Sequence, residues 1–125
     1  MDRLILSHSD LVVFQNSFDL AVQIYKFSKK FPEEERYSLT DQIRRSSGSV
    51  SANIAEAFRK RRYPKSFISK LTDSEGEAAE TQVWLRFANT FHYIGEEEFK
   101  KLFSEYDHII NQIVKMIRNP DKWSF

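Results

Sequence analysis

No cysteine occurs in the 125 residues, so disulfide frameworks and thiolate metal sites are excluded and a reducing compartment suits the chain. Glycine and proline are scarce, at three each, which removes collagen-like and low-complexity classes. The sequence has no GxxxxGK followed by Ser or Thr, no GxGxxG and no HExxH. Phosphate-cradling loops and zinc-protease chemistry therefore have no basis in it. The histidines His8, His92 and His108 are scattered, with no serine or cysteine nucleophile arranged beside them, so neither catalytic residues nor a metal or other cofactor is expected. There is no run of about 18 apolar residues, the length a membrane span needs, and MDRLILSHSD lacks the pattern of a secretory leader. The expectation is a cytoplasmic protein without membrane contact. The net charge of +1 carries no global bias toward polyanions.

Apolar side chains make up 41% of the residues, aromatic ones 14% and charged ones 30%, enough to fill one core and coat it. Pro32, Pro64 and Pro120 stand where apolar periodicity breaks, as helix punctuation does. The pattern predicts one all-α domain over 1–125, an antiparallel up-and-down four-helix bundle with helices at roughly 10–30, 38–58, 64–94 and 96–118. In the first helix Leu11, Phe14, Phe18, Ala21 and Tyr25 make a heptad seam, and Val13, Leu20, Ile24 and Phe27 a second stripe. That is more apolar surface than one bundle face needs, and self-association would cover it. In the second helix Leu39, Ile43, Val50, Ile54 and Ala57 form the inner face, Ser38 with Asp41 resembles a capping pair, and the Ser46–Ala55 stretch is rich in small residues. Close approach of a neighbouring helix is the expectation there. The third helix has Phe67, Leu71, Ala78, Trp84, Leu85, Ala88 and Phe91 on its inner side with Gly95 as its stop, and Glu96–Glu98 open the fourth.

Charge is segregated along the chain. From Arg44 to Lys70 eight basic residues face one acid, Glu56, and from Leu71 to Glu98 seven acids face one Arg86. Arg59, Lys60, Arg61, Arg62 and Lys65 with Phe58 and Tyr63 form the strongest candidate site, with Arg44 and Arg45 as further candidates. Cations of this kind neutralise backbone phosphates, and an aromatic ring stacks on an unpaired base. The competing reading is a solvated helix-connecting turn whose cations suit a helix C-terminus. Neighbouring helix positions point about 100° apart, so one of Arg44 and Arg45 is expected to pair with Glu56, Glu75 or Glu80. Gln42, Asn53, Glu56, Glu77 and Glu80 are read as a buried polar network fixing helix register rather than as metal ligands, since no Glu-x-x-His pair accompanies them.

Three segments carry a resemblance: DLVVFQNSFDLAVQIYKFSKKFP, LTDQIRRSSGSVSANIAEAFRKR and EGEAAETQVWLRFANTFHYI. The chain resembles the 23S rRNA intervening sequence proteins from about Asp10 to Ile117, the QIRR and NIAE blocks being most specific. This implies a bacterial four-helix bundle that assembles as a homopentamer and has no established enzymatic activity. It is more distantly similar to the accessory variability determinant of diversity-generating retroelements, a basic pentamer that binds nucleic acid and a reverse transcriptase. The expected partners are thus other copies of the chain, RNA or DNA, and a nucleic-acid enzyme. The alternative is a protein-binding scaffold without nucleic-acid contact.

Overall fold

The computed structural model describes residues 5–123. They form α1 Val12–Ser28, α2 Leu39–Arg59, α3 Pro64–Thr90 and α4 Glu96–Arg118, with single 3-10 turns at His8–Asp10, Glu33–Glu35 and Pro120–Lys122. Consecutive helices pack side by side, and α1 meets α4 along a sparser fourth seam. The links are too short for anything but antiparallel return. Among the described residues no helix is long and apolar enough to cross a membrane.

The inner face of α2 is the one its pattern predicts: Leu39, Ile43, Val50, Ile54 and Ala57 are all buried. Ile43, Val50, Ile54 and Ala57 pack with Phe67, Leu71, Ala78 and Leu85 of α3 and Leu102, Tyr106, Ile109 and Ile113 of α4 in one cluster. Each such side chain contributes about 1.5–3 kcal/mol by leaving water. Phe91, expected inside, is exposed.

In α1 the bundle buries the second stripe and only part of the heptad seam, Leu11 lying in the core and Phe14 against it. Val13, Leu20 and Ile24 join the core with Ser17 and Ser28, while Phe18 and Tyr25 of the heptad seam face outward at 51% and 49% exposure. Both stripes satisfy helical periodicity, so spacing alone does not say which one meets its own bundle.

The α2–α3 seam is the most extensive in the bundle and is held by hydroxyls. Ser46 Oγ lies 2.8 Å from Thr81 Oγ1, and Ser74 Oγ donates to the Val50 carbonyl at 2.8 Å. On the other side of α2, Ser17 Oγ and Ser51 Oγ lie 3.1 Å apart. These small side chains let the backbones approach and satisfy one another at the contact.

Helix ends depart from two expectations. Ser38 precedes α2, but its hydroxyl donates back to Glu35 Oε1 at 2.6 Å instead of accepting from the helix. The helix α3 stops at Thr90, ahead of Gly95, because His92 adopts φ 62°. The Tyr93 amide then reaches back to the Ala88 carbonyl at 2.8 Å, the backward bond of a Schellman close, with a histidine where glycine is usual. Gly95 instead precedes α4 as its N-cap.

Candidate nucleic-acid interface

The antiparallel path brings the start of α1, the end of α2, the start of α3 and the end of α4 to one end of the bundle. At the α2–α3 turn the chain reverses within Lys60–Tyr63, and Pro64 opens α3, a position where proline's missing N–H costs nothing. Arg59, Arg62, Tyr63 and Lys65 are exposed there. The Arg62 guanidinium lies 5.8 Å from the centre of the Tyr63 ring.

Arg61 is built in. Its Nη1 donates to the Phe58 carbonyl at 2.8 Å, and its guanidinium sits 3.8 Å above the Phe58 ring. It thereby caps a carbonyl that the helix leaves open. Burial, with Arg59 and Arg62 beside it, lowers its pKa. Lys60 is paired with Glu56 at 3.1 Å, and Lys70 reaches the same carboxylate at 3.5 Å. The hydrogen bond from Lys60 is the main reason that the Glu56 pKa is lowered.

The end of α4 contributes cations that the linear sequence does not place beside this turn. Lys115, Arg118 and Lys122 are exposed, and the turn Pro120–Lys122 packs against α3. The opposite end is close to neutral, Glu33–Glu35, Asp41 and Glu96–Glu98 standing among Lys26, Lys29, Lys30, Arg36, Lys100 and Lys101. There Tyr93 Oη donates to Glu35 Oε2 at 2.9 Å, joining the two turns. The Ser38 hydroxyl first, and Tyr93 second, hold the Glu35 carboxyl below its ordinary range.

Arg44 and Arg45 are not part of the basic end. Arg45 lies 14 residues before Arg59, about 21 Å along the helix. The Arg44 guanidinium lies 4.5 Å from the Tyr25 ring centre and its Nε donates to Ser28 Oγ at 2.7 Å, so it ties α1 to α2. Arg45 bridges α2 to α3: Nη2 meets Glu80 Oε1 at 2.6 Å and Nη1 meets Glu77 Oε2 at 3.4 Å. Gln42 Oε1 accepts from Nη2 at 3.4 Å, and Glu80 raises the Arg45 pKa. The expected polar network is therefore corrected on two points. It holds Gln42, Glu77 and Glu80 around Arg45, whereas Glu56 belongs with Lys60 and Lys70 and Asn53 lies one turn from Glu56. It is also half-exposed rather than buried, Arg45 retaining 47% of its side-chain surface. Among the described residues no group of three or more His, Cys, Asp and Glu side chains stands close enough to hold a metal ion.

Two apolar surfaces remain open to solvent. Between α1 and α2 runs a groove of about 580 Å³, walled by Phe14, Phe18, Val22 and Tyr25 and floored by Gly48 and Ala52. A Cβ at Gly48 would meet nothing within 4 Å, so packing inside this chain does not require glycine there. On α3, Val83, Phe87 and Phe91 are exposed, with ring centres of Trp84, Phe87 and Phe91 following at 5.8 Å steps.

The family model of the 23S rRNA-intervening sequence proteins matches residues 9–115. A similar solved structure is a protein of unknown function from the S23 ribosomal protein family of Bacteroides thetaiotaomicron. It is 30% identical, superposes with a TM-score of 0.77, and the alignment covers 86% of this chain and 96% of that one. No curated protein matches the chain.

Proposed function

Because this chain belongs to the 23S rRNA-intervening sequence protein family, we propose that it is a non-enzymatic, self-associating bundle of the cytoplasm whose basic end holds RNA or DNA backbone. The observation that carries this reading is the convergence of two separate cationic segments, Arg59–Lys65 and Lys115–Lys122, at one end while acids and bases nearly balance at the other. Such an arrangement concentrates positive potential that a net charge of +1 conceals. The half-exposed Tyr63 ring adds a stacking surface.

Self-association is supported by the two open apolar surfaces. The groove between α1 and α2 is concave with small residues at its base, and the Val83–Phe87–Phe91 ridge of α3 shares no residue with it. A ridge of one copy seated in the groove of the next is a heterologous contact, which closes into a ring when the rotation allows. The homopentamer implied by the resemblance is such a ring, and it would repeat the basic end in every subunit, multiplying a weak local affinity.

The test is fluorescence anisotropy with short RNA and DNA across a salt series, beside a variant carrying Arg59→Ala, Arg62→Ala and Lys65→Ala with Arg61 kept for its structural bond. Binding that weakens with salt, and a log–log salt slope smaller by about 2–3 in the variant, is the expected result. No binding at low salt would favour the scaffold that meets an acidic protein partner.

A further inference from the structure

The basic end contains a cleft of about 510 Å³ between the segment before α1 and the end of α4. Its floor is Leu11, Val13 and Met116, and Trp123 forms a wall. Trp123 is half-buried and packs against the core, which holds one edge of the cleft in place. Lys115, Asn119 and Lys122 stand at the rim. Among the described residues neither lysine takes part in an ion pair.

Two amide side chains are among the lining of this apolar space. Asn119 Nδ2 donates to the Lys115 carbonyl at 2.9 Å, which leaves its Oδ1 as an acceptor. Gln112 lines the cleft, and its Oε1 is buried with no hydrogen-bond partner among the described residues. Such an oxygen is costly to leave unmet. Asp10, the acid of the lining, has its Oδ2 engaged by the amides of Leu6 and Ser7 at 2.9 and 3.1 Å.

We propose that this cleft takes one unstacked nucleobase of a single strand, the base lying against Trp123 and the adjoining phosphates held by Lys115 and Lys122. An apolar space beside an aromatic wall suits a planar ring, rim lysines suit its phosphate, and the exposed Asn119 amide at the rim suits a polar edge of the base. The proposal rests on the reading of the basic end as a phosphate surface and adds to it a contact that a duplex or a bare polyanion cannot make.

The experiment uses the Trp84→Phe protein, in which Trp123 is the sole indole, titrated with a short oligoadenylate and with an abasic strand of equal length and charge. Oligoadenylate is expected to quench Trp123 emission and to bind about ten- to hundredfold more tightly than the abasic strand. Val12→Phe, at an exposed rim position, and Trp123→Ala are expected to erase that advantage while abasic binding stays unchanged. Equal affinity for both strands with no change in emission overturns the cleft and leaves the phosphate reading standing. Absence of binding by either strand overturns both.

Discussion

Ser46 and Thr81 face each other across the α2–α3 seam with hydroxyl oxygens 2.8 Å apart, both closed off from solvent. Thr81 Oγ1 also donates to the Glu77 carbonyl at 2.9 Å, so the shared proton comes from Ser46. The nearest other acceptor for Ser46 is the Ile43 carbonyl at 3.4 Å. Thr81→Val therefore leaves the buried Ser46 hydroxyl with only this long bond and is expected to cost about 1 kcal/mol in urea unfolding. Adding Ser46→Ala removes that hydroxyl, so the double variant should lose less than the two single losses combined. Strict additivity would mean that the two hydroxyls do not act as a pair.

His92 offers a gain. Its φ of 62° is a conformation glycine adopts freely and a side chain resists. His92→Gly is expected to raise stability by about 1 kcal/mol, a Tm increase of about 3–6 °C for a chain of this size. An unchanged or lower melting temperature would show that the imidazole makes a compensating contact.

Gly48 separates the single chain from the assembly. Within one chain a methyl group meets nothing, so Gly48→Ala should stabilise α2 by about 1 kcal/mol through helix propensity. If a second copy enters the groove, the same methyl weakens association. Sedimentation velocity with thermal melting at several concentrations reads both effects, and Phe18→Glu on the groove wall should abolish association outright. Normal association of the Phe18→Glu protein would remove the groove from the interface.

The Glu35–Tyr93 bond predicts a pH window. The Glu35 pKa is lowered from 4.5, so its contribution is present above that value and lost as pH falls through the folded-state pKa. The Tyr93 pKa is raised from 10.0, chiefly by the bond to Glu35, so its contribution is present below that value and lost as pH rises through the folded-state pKa. Tyr93→Phe should thus lower the melting temperature most between pH 5 and 9, values chosen to lie inside 4.5 and 10.0. The difference from the parent should narrow at acid and alkaline extremes. A deficit constant with pH would show that the Tyr93 hydroxyl stabilises the fold independently of the charge on Glu35.

How far the structure was legible depends on how many answers a local pattern admits. In α2 one apolar stripe stands beside serines and charges, and Ile43, Val50 and Ile54 could only face inward. In α1 two stripes compete, and the choice between Phe18 and Leu20 is made by what α2 and α4 present, which no window along the chain contains. Gly95 is a genuine helix punctuator, yet α3 is ended three residues earlier by His92, whose positive φ lets the Tyr93 amide close on Ala88 and brings the Tyr93 ring against Phe31.

The candidate site shows the same division. Arg59 to Lys65 are visible as a run, whereas Lys115, Arg118 and Lys122 join them only through antiparallel closure. The pairing of Arg45 with Glu80 could be anticipated from charge and helix geometry. The lodging of Arg44 over Tyr25 could not, because the spacing puts Tyr25 in the heptad seam without saying which neighbour that seam meets.

With an excess of arginines and lysines at one end and nearly balanced charges at the other, the bundle carries its centre of charge displaced along its helices. A polyanion in its vicinity exerts a torque as well as a pull, turning the molecule before any surfaces touch. Encounters at low ionic strength are then biased toward end-on arrival, and added salt should slow productive collisions by randomising the angle of approach as well as by screening the attraction.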